Sequence, residues 1–143
     1  MIILFYGQPA SGKTTLADKL NIDLKIRIDG DKWRDVTKNK DYSKEGRLTN
    51  LKGAFNMALY LEKEGYIPIL SFVTPYKELR QYLKQNANEV VEIYLKYSGD
   101  RGRNMNFAKD FEEDEEYNLC FDTSAESIED CTTKIITYLF TKR

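Results

Sequence analysis

Short apolar runs alternate along the chain with longer amphipathic stretches. Ile2 to Tyr6 reads as a continuously apolar strand, Leu24 to Ile28 as a second, Ile67 to Phe72 as a third, Val90 to Leu95 as a fourth and Leu119 to Phe121 as a short fifth. Runs rich in β-branched and aromatic residues suit strands buried on both faces. Between them, Leu48, Leu51, Phe55, Ala58 and Leu59 recur at spacings of three and four, which predicts the longest helix, closing at Gly65. Ser127 is placed to cap a last helix whose apolar stripe is Ile128, Cys131, Ile135 and Leu139, with Glu129 and Asp130 in its first turn. Strands alternating with helices predict an α/β fold, a mainly parallel sheet covered by helices on both faces.

Directly after the first strand comes GQPASGKTT, Gly7 to Thr15, which satisfies GxxxxGK[ST] with Gly7, Gly12, Lys13 and Thr14. Glycines let backbone N–H groups close around phosphate oxygens, while the lysine reaches the β- and γ-phosphates and the hydroxyl is suited to Mg²⁺. A helix read from Thr14 to Leu20 adds the positive end of its dipole. The expected triphosphate-binding set is therefore Gly7, Pro9, Ala10, Ser11, Gly12, Lys13, Thr14 and Thr15. A guanine-reading NKxD motif is missing, so ATP is favoured over GTP.

Composition narrows the chemistry further. The 143 residues suit one domain, and 41% hydrophobic content with a net charge of −1 argues for a folded chain. With 22 basic against 23 acidic residues, no overall positive field collects a polyanion, which disfavours nucleic acid as a partner. Histidine is absent, so any general base is a carboxylate, a lysine or water. Cys120 and Cys131 form no CxxC pair and read as buried thiols in a reducing, cytoplasmic compartment. The longest apolar run, MIILFY, is far short of a membrane span, and EEDEE at 112–116 reads as a solvated face rather than a metal site.

The second strand ends in IDGDKWRD, where Asp29 and Asp31 flank Gly30. In a doubly wound sheet the carboxyl ends of neighbouring strands line the ligand crevice, so both acids are candidates to face the phosphate loop. Without histidine, this pair is where an attacking hydroxyl would be oriented or deprotonated, or Mg²⁺ held through water. The plainer reading is an Asp-Gly turn with solvated carboxylates.

Four segments in order, GQPASGKTTL, IDGDKWRD, NKDYSKEGRLTNL and SFVTPYKELR, joined by FDTSAESIEDC near the end, resemble the adenylylsulfate kinase family. Its comparable segments read approximately GLSGAGKST, LDGDxxR, LGFSxxDRxxNIRR, SFISPYRxxR and LDTxxxSxEEC. The resemblance implies a three-layer P-loop kinase fold with strand order 2-3-1-4-5 over residues 1–143. It also implies transfer of the ATP γ-phosphoryl group to the 3′-hydroxyl of adenylylsulfate, with Mg²⁺. Lys13, Asp29 and Asp31 would be catalytic, Asp31 favoured as base or metal-water partner, and Thr14 and Asp29 would serve the metal. Arg34, Arg47 and Asn50 would bind the acceptor's phosphosulfate and base, and Tyr42 would stack on its adenine. Thr74 stands for the serine of SPY, and Arg80 closes that segment. Arginine forks and aromatic faces suit these tasks independently. The plainer alternatives put Arg47 and Asn50 on an exposed helix face, Tyr42 in the core and Pro75–Tyr76 at a simple helix start.

The match weakens in SGDRGRNMNF, 98–107, part of a lid-like segment at about 97–117 that is shorter than the family's. Phe107 can be placed on the lid phenylalanine of the adenine sandwich, and Arg101 and Arg103 on missing positive groups at the ATP phosphates or base. The shortened lid leaves open a kinase for a different nucleotide-like acceptor, or a nucleotide-binding module without turnover. Partners expected are small-molecule nucleotides, with no nucleic acid and no membrane; a homodimer is compatible with the sequence.

Overall fold

A computed structural model describes residues 1–98, 108, 110–113 and 115–141 of the chain, and in it β1 (Ile2–Tyr6) is the central strand of a parallel sheet. Around it stand β2 (Lys25–Asp29), β3 (Ile67–Phe72), β4 (Val90–Lys96) and β5 (Leu119–Asp122), in the order β2-β3-β1-β4-β5. That is the order implied by the family resemblance. Every strand pair is parallel, with Ile3 opposite Ile69 on one side and Val91 on the other.

The period of two along β1 divides the interior into two layers. Ile2, Leu4 and Tyr6 face α3 (Lys44–Lys63) and α4 (Lys77–Asn86), where they meet Leu51, Phe55, Leu79 and Leu83. Ile3 and Phe5 face α1 (Lys13–Lys19) and α5 (Ile128–Thr141), packing with Leu16, Leu20, Ile135 and Leu139. All five β1 side chains are buried, which accounts for the unbroken apolar run.

Several boundaries differ from the sequence reading. β2 starts at Lys25, not Leu24: Leu24 has φ 65° and is mostly exposed, while its carbonyl accepts from the Ile67 N–H at the start of β3. The strand extends instead through Asp29, opposite Ser71. The Asp-Gly turn is replaced by a helix, α2 (Gly30–Thr37), whose N-cap is Asp29. No buried residue lies on α2, so it leaves no strong apolar stripe to read. Ser43 caps α3 through a hydrogen bond from the Gly46 N–H. Cys131 is buried, but Cys120 is only half-buried, near the sheet edge.

The residues of 112–116 that are described are exposed, yet several are pinned. Glu112 accepts from the Lys77 N–H at 2.8 Å, Glu113 from the Tyr94 hydroxyl at 2.8 Å, and Glu116 from Gln81 at 2.7 Å. Arg80 is buried between the rings of Tyr6 (4.9 Å) and Phe111 (5.7 Å) and donates to the carbonyls of Thr74 and Glu112. Among the described residues, no helix is long and apolar enough to cross a membrane.

Phe55 is fully buried and meets Phe72 edge to face at 6.3 Å, joining α3 to the strand that carries one wall of the site. Phe55→Ala is expected to lower the unfolding free energy by about 3–5 kcal/mol, read by urea denaturation followed by circular dichroism. A loss below about 1 kcal/mol would contradict this packing.

Candidate active site

β1 delivers the chain into the phosphate loop at Gly7, and sterics there admit no side chain. Gly7 has φ 147°, and a Cβ on it would lie 2.2 Å from the Leu95 carbonyl oxygen. Gly12, with φ 98°, is the left-handed N-cap of α1, and between them Ala10 also has positive φ, 65°. The loop is held from outside: Gly7 N–H donates to Val73, and the Thr123 hydroxyl donates to the Ser11 carbonyl at 2.8 Å. Lys13 opens α1, buried, with Nζ donating to the Gln8 carbonyl at 2.8 Å. Pro9, Ala10, Gly12 and Lys13 to Thr15 line a cavity of about 270 Å³, while Gly7 and Ser11 are buried behind the loop.

The opposite floor of the cavity is built on Asp29. Its Oδ1 accepts from the Thr14 hydroxyl at 2.6 Å and the Ser71 hydroxyl at 2.7 Å, and its Oδ2 caps the Lys32 N–H. Behind Ser71, Arg27 donates to its Oγ at 3.0 Å and to the Ile69 carbonyl at 2.8 Å, with Asp18 on its Nε. Burial pushes the Asp29 carboxyl up, but the hydrogen bonds from Thr14, Ser71 and Lys32 and the charge of Arg27 outweigh it and hold the group below its ordinary value. Asp31, two residues on, lies in the first turn of α2 and lines the same cavity, exposed and within the field of Arg34. The two carboxylates are therefore unlike: one is enclosed by donors, the other faces the cavity.

The far wall is formed by α2, α3 and the loop between them. Tyr42 is 58% exposed, with the Arg34 guanidinium 4.0 Å from its ring centroid and that of Arg47 at 5.8 Å. Arg34 Nη1 is anchored on Asn39 and the Asp41 carbonyl, and Arg47 Nε donates to the Tyr42 carbonyl at 3.0 Å. Among the described residues, Arg47 Nη1 and Asn50 Oδ1 are buried without a hydrogen-bond partner, although both residues line the cavity. The plainer readings of Arg47, Asn50 and Tyr42 are thus corrected, while that of Pro75–Tyr76 as a helix start holds, Tyr76 being the N-cap of α4. Arg47 and Asn50 turn inward from α3, and Tyr42 is no core residue.

Thr74 reaches the cavity wall fully buried at φ 47°, but its hydroxyl donates to the Phe72 carbonyl. Arg101, Arg103 and Phe107 lie outside the described residues. Sequence reasoning missed Ser71 and Arg27, which orient Asp29. The available signal was a serine inside the otherwise apolar run IPILSF, in register with Asp29.

Known proteins share this arrangement. A family model described as adenylylsulphate kinase matches residues 1–109. A probable adenylyl-sulfate kinase of Pyrococcus abyssi is 35% identical over 96 residues, covering 62% of this chain and 55% of its own. The chain thus spans about half the length of that relative. The adenylyl-sulfate kinase of Halothermothrix orenii is 28% identical over 162 residues, covering 96% and 88%. The solved Mycobacterium tuberculosis APS kinase CysC, in complex with AMPPNP and APS, superposes with a TM-score of 0.82 at 18% identity, covering 96% of each chain, and so shares the fold. A family match over three quarters of the chain, on a sheet of the implied order with the phosphate loop and the carboxylate pair at one cavity, means that this chain belongs to the adenylylsulfate kinase family.

Proposed function

We propose that residues 1–143 form one kinase domain that transfers the γ-phosphoryl group of ATP to the 3′-hydroxyl of adenylylsulfate, giving 3′-phosphoadenylylsulfate and ADP. The observation that carries this reading is the pair of buried atoms Arg47 Nη1 and Asn50 Oδ1, which have no partner among the described residues, in the same cavity as the phosphate loop. Buried polar groups are almost always satisfied, so a donor and an acceptor left open in a cavity mark a place for a ligand's polar groups. A guanidinium donor beside an amide oxygen, with the Tyr42 ring nearby, suits a ligand that carries both an oxyanion and a base.

Each residue then has a separable task. Lys13, first in α1, brings positive charge to the bridging and terminal phosphates, where charge develops as the bond to the leaving ADP breaks. Asp31 accepts the proton of the attacking hydroxyl as the new oxygen–phosphorus bond forms. Asp29 keeps the Thr14 hydroxyl pointing at itself, which leaves the oxygen lone pairs of Thr14 for another partner. Thr14 and Asp29 are hard oxygen donors in contact at the cavity, a set that fits Mg²⁺. When bound, Mg²⁺ neutralises phosphate charge. Arg34, Tyr42, Arg47 and Asn50 hold the acceptor.

Incubation with Mg²⁺, ATP and adenylylsulfate, with chromatographic separation, should yield 3′-phosphoadenylylsulfate. No product above that of a Lys13→Ala variant would refute the activity. Asp31→Asn is expected to lower kcat by about 10²–10⁴-fold with the KM values little changed, as for loss of a general base. An Asp31→Asn enzyme within about threefold of the parent kcat would remove the residue from that role.

Arg47→Ala should raise the KM for adenylylsulfate by about 10–100-fold, the range of a lost charged hydrogen bond, while the KM for ATP stays near the parent value. Equal rises in both constants, measured by varying one substrate at saturation of the other, would place Arg47 elsewhere.

A further inference from the structure

Gln8 has no task in this mechanism, and its side chain is not part of the cavity wall. Its carboxamide nevertheless makes two hydrogen bonds to one distant residue: Nε2 donates to the Ala108 carbonyl at 2.9 Å, and Oε1 accepts from the Ala108 N–H at 3.0 Å. An amide that satisfies both main-chain groups of a single residue acts as a short piece of β-ladder and fixes the orientation of both partners. Ala108 is buried, so neither of its groups has bulk water as an easy alternative.

The residues after Ala108 reach the other wall of the cavity. Asp110 accepts from the Tyr76 hydroxyl at 2.9 Å, the Glu112 N–H donates to the Pro75 carbonyl at 2.7 Å, and the Glu112 carboxylate accepts from the Lys77 N–H at 2.8 Å. Burial first, and then the Asp110 carboxylate, push the Tyr76 phenol up to about 12, so it remains a donor near neutral pH. Thr74 and Pro75, immediately before Tyr76, line the cavity. Ala108, Asp110 and Glu112 therefore connect the phosphate loop to the wall it faces.

The loop needs such support. Ala10 has φ 65°, a conformation that costs energy for a residue with a side chain, and strained backbone persists only where its surroundings over-determine it. The Gln8 backbone carbonyl also accepts from Lys13 Nζ, so the place of Gln8 bears directly on that of the lysine. A loop held in shape before the nucleotide arrives loses less freedom on binding and binds more tightly.

We propose that Gln8 is a positioning residue for the triphosphate, acting through its paired hydrogen bonds with Ala108 to hold the phosphate loop in its binding shape against the Thr74–Lys77 wall. The role rests on the reading of the loop as a nucleotide-triphosphate site. It adds a specific element to that reading: affinity for the triphosphate depends on a contact outside the cavity.

Gln8→Met keeps the length of the side chain and removes both bonds; Ala108→Pro removes the N–H from the other side. Calorimetry with a non-hydrolysable ATP analogue and Mg²⁺ should show binding about tenfold weaker for Gln8→Met, the worth of one to two net hydrogen bonds. Affinity for adenylylsulfate alone should stay within about twofold of the parent, and hydrogen exchange at the Ala108 amide should accelerate. The double variant should bind no more weakly than the worse single variant, because both changes break one contact. Nucleotide affinity of Gln8→Met within about twofold of the parent, or additive losses in the double variant, would overturn the role while leaving the kinase reading intact. A parent protein that binds no nucleotide would overturn the kinase reading and this role with it. If Gln8→Met fails to fold, Ala108 exchange and nucleotide affinity of Gln8→Leu carry the same expectations.

Discussion

The Asp29 carboxylate is where the sheet, two helices and the chemistry of the cavity meet. It ends β2, caps α2, accepts from Thr14 on α1 and accepts from Ser71 on β3. A carboxylate with several donors around it is held as an anion in one orientation, and removal of any donor leaves part of its desolvation uncompensated. The position of α2, and with it those of Asp31 and Arg34, follows from the direction in which Asp29 releases the chain. The phosphate loop is registered to the same group through Thr14. One partly buried polar cluster therefore sets the separation between the phosphate loop and the α2–α3 side of the cavity.

The energetic logic of the two sides differs. On the phosphate side the loop is over-determined: Val73, Thr123 and Ala108 all grip it from outside, and the left-handed Ala10 is held by the sum of these contacts. On the acceptor side the scaffold is finished but the binding groups are not. Arg47 is fixed through Nε and Asn50 through the packing of α3, while Nη1 and Oδ1 have no partner among the described residues. An unpaired buried polar atom costs about 1–3 kcal/mol, a cost that a ligand making those bonds would relieve. Both arrangements favour a bound state over the empty cavity, the first by restricting freedom beforehand and the second by leaving interactions unmade.

How much of this could be read along the chain depends on whether the information was local. Apolar-rich runs identified all five strands, most plainly β1, which is buried on both faces, and GxxxxGK[ST] located the phosphate loop because its geometry is made by adjacent residues. The start of β2 was misplaced by one residue, since Leu24 is an apolar residue spent on an exposed left-handed turn. α2 was hidden because it packs only the half-buried Trp33 against the core and begins at a cap, Asp29, that also reads as a turn. Ser71 and Gln8 were passed over for a different reason. Their partners, Asp29 and Ala108, lie 42 and 100 positions away, and only the folded sheet brings them together.

The arginines show the same limit from the side of chemistry. Arg27, Arg34, Arg47 and Arg80 are one residue type, and motif position assigns Arg34 and Arg47 to the acceptor while it leaves Arg80 without a task. Arg80 is instead enclosed by Tyr6, Phe111 and two carbonyls, and serves to fasten the segment around Glu112 to the start of α4. Arg27 stands behind Ser71 and, after the hydrogen bonds from Thr14, Ser71 and Lys32, adds to what keeps Asp29 charged, without entering the cavity. Arg34 lies against Tyr42 with its fork largely committed to Asn39 and Asp41, so it shapes the aromatic platform as well as the field at Asp31. Arg47 alone of the four retains a buried donor with no partner among the described residues. In the proposed kinase, recognition of an anionic acceptor would therefore rest most directly on Arg47, while the remaining guanidinium groups hold in place the surfaces that present it.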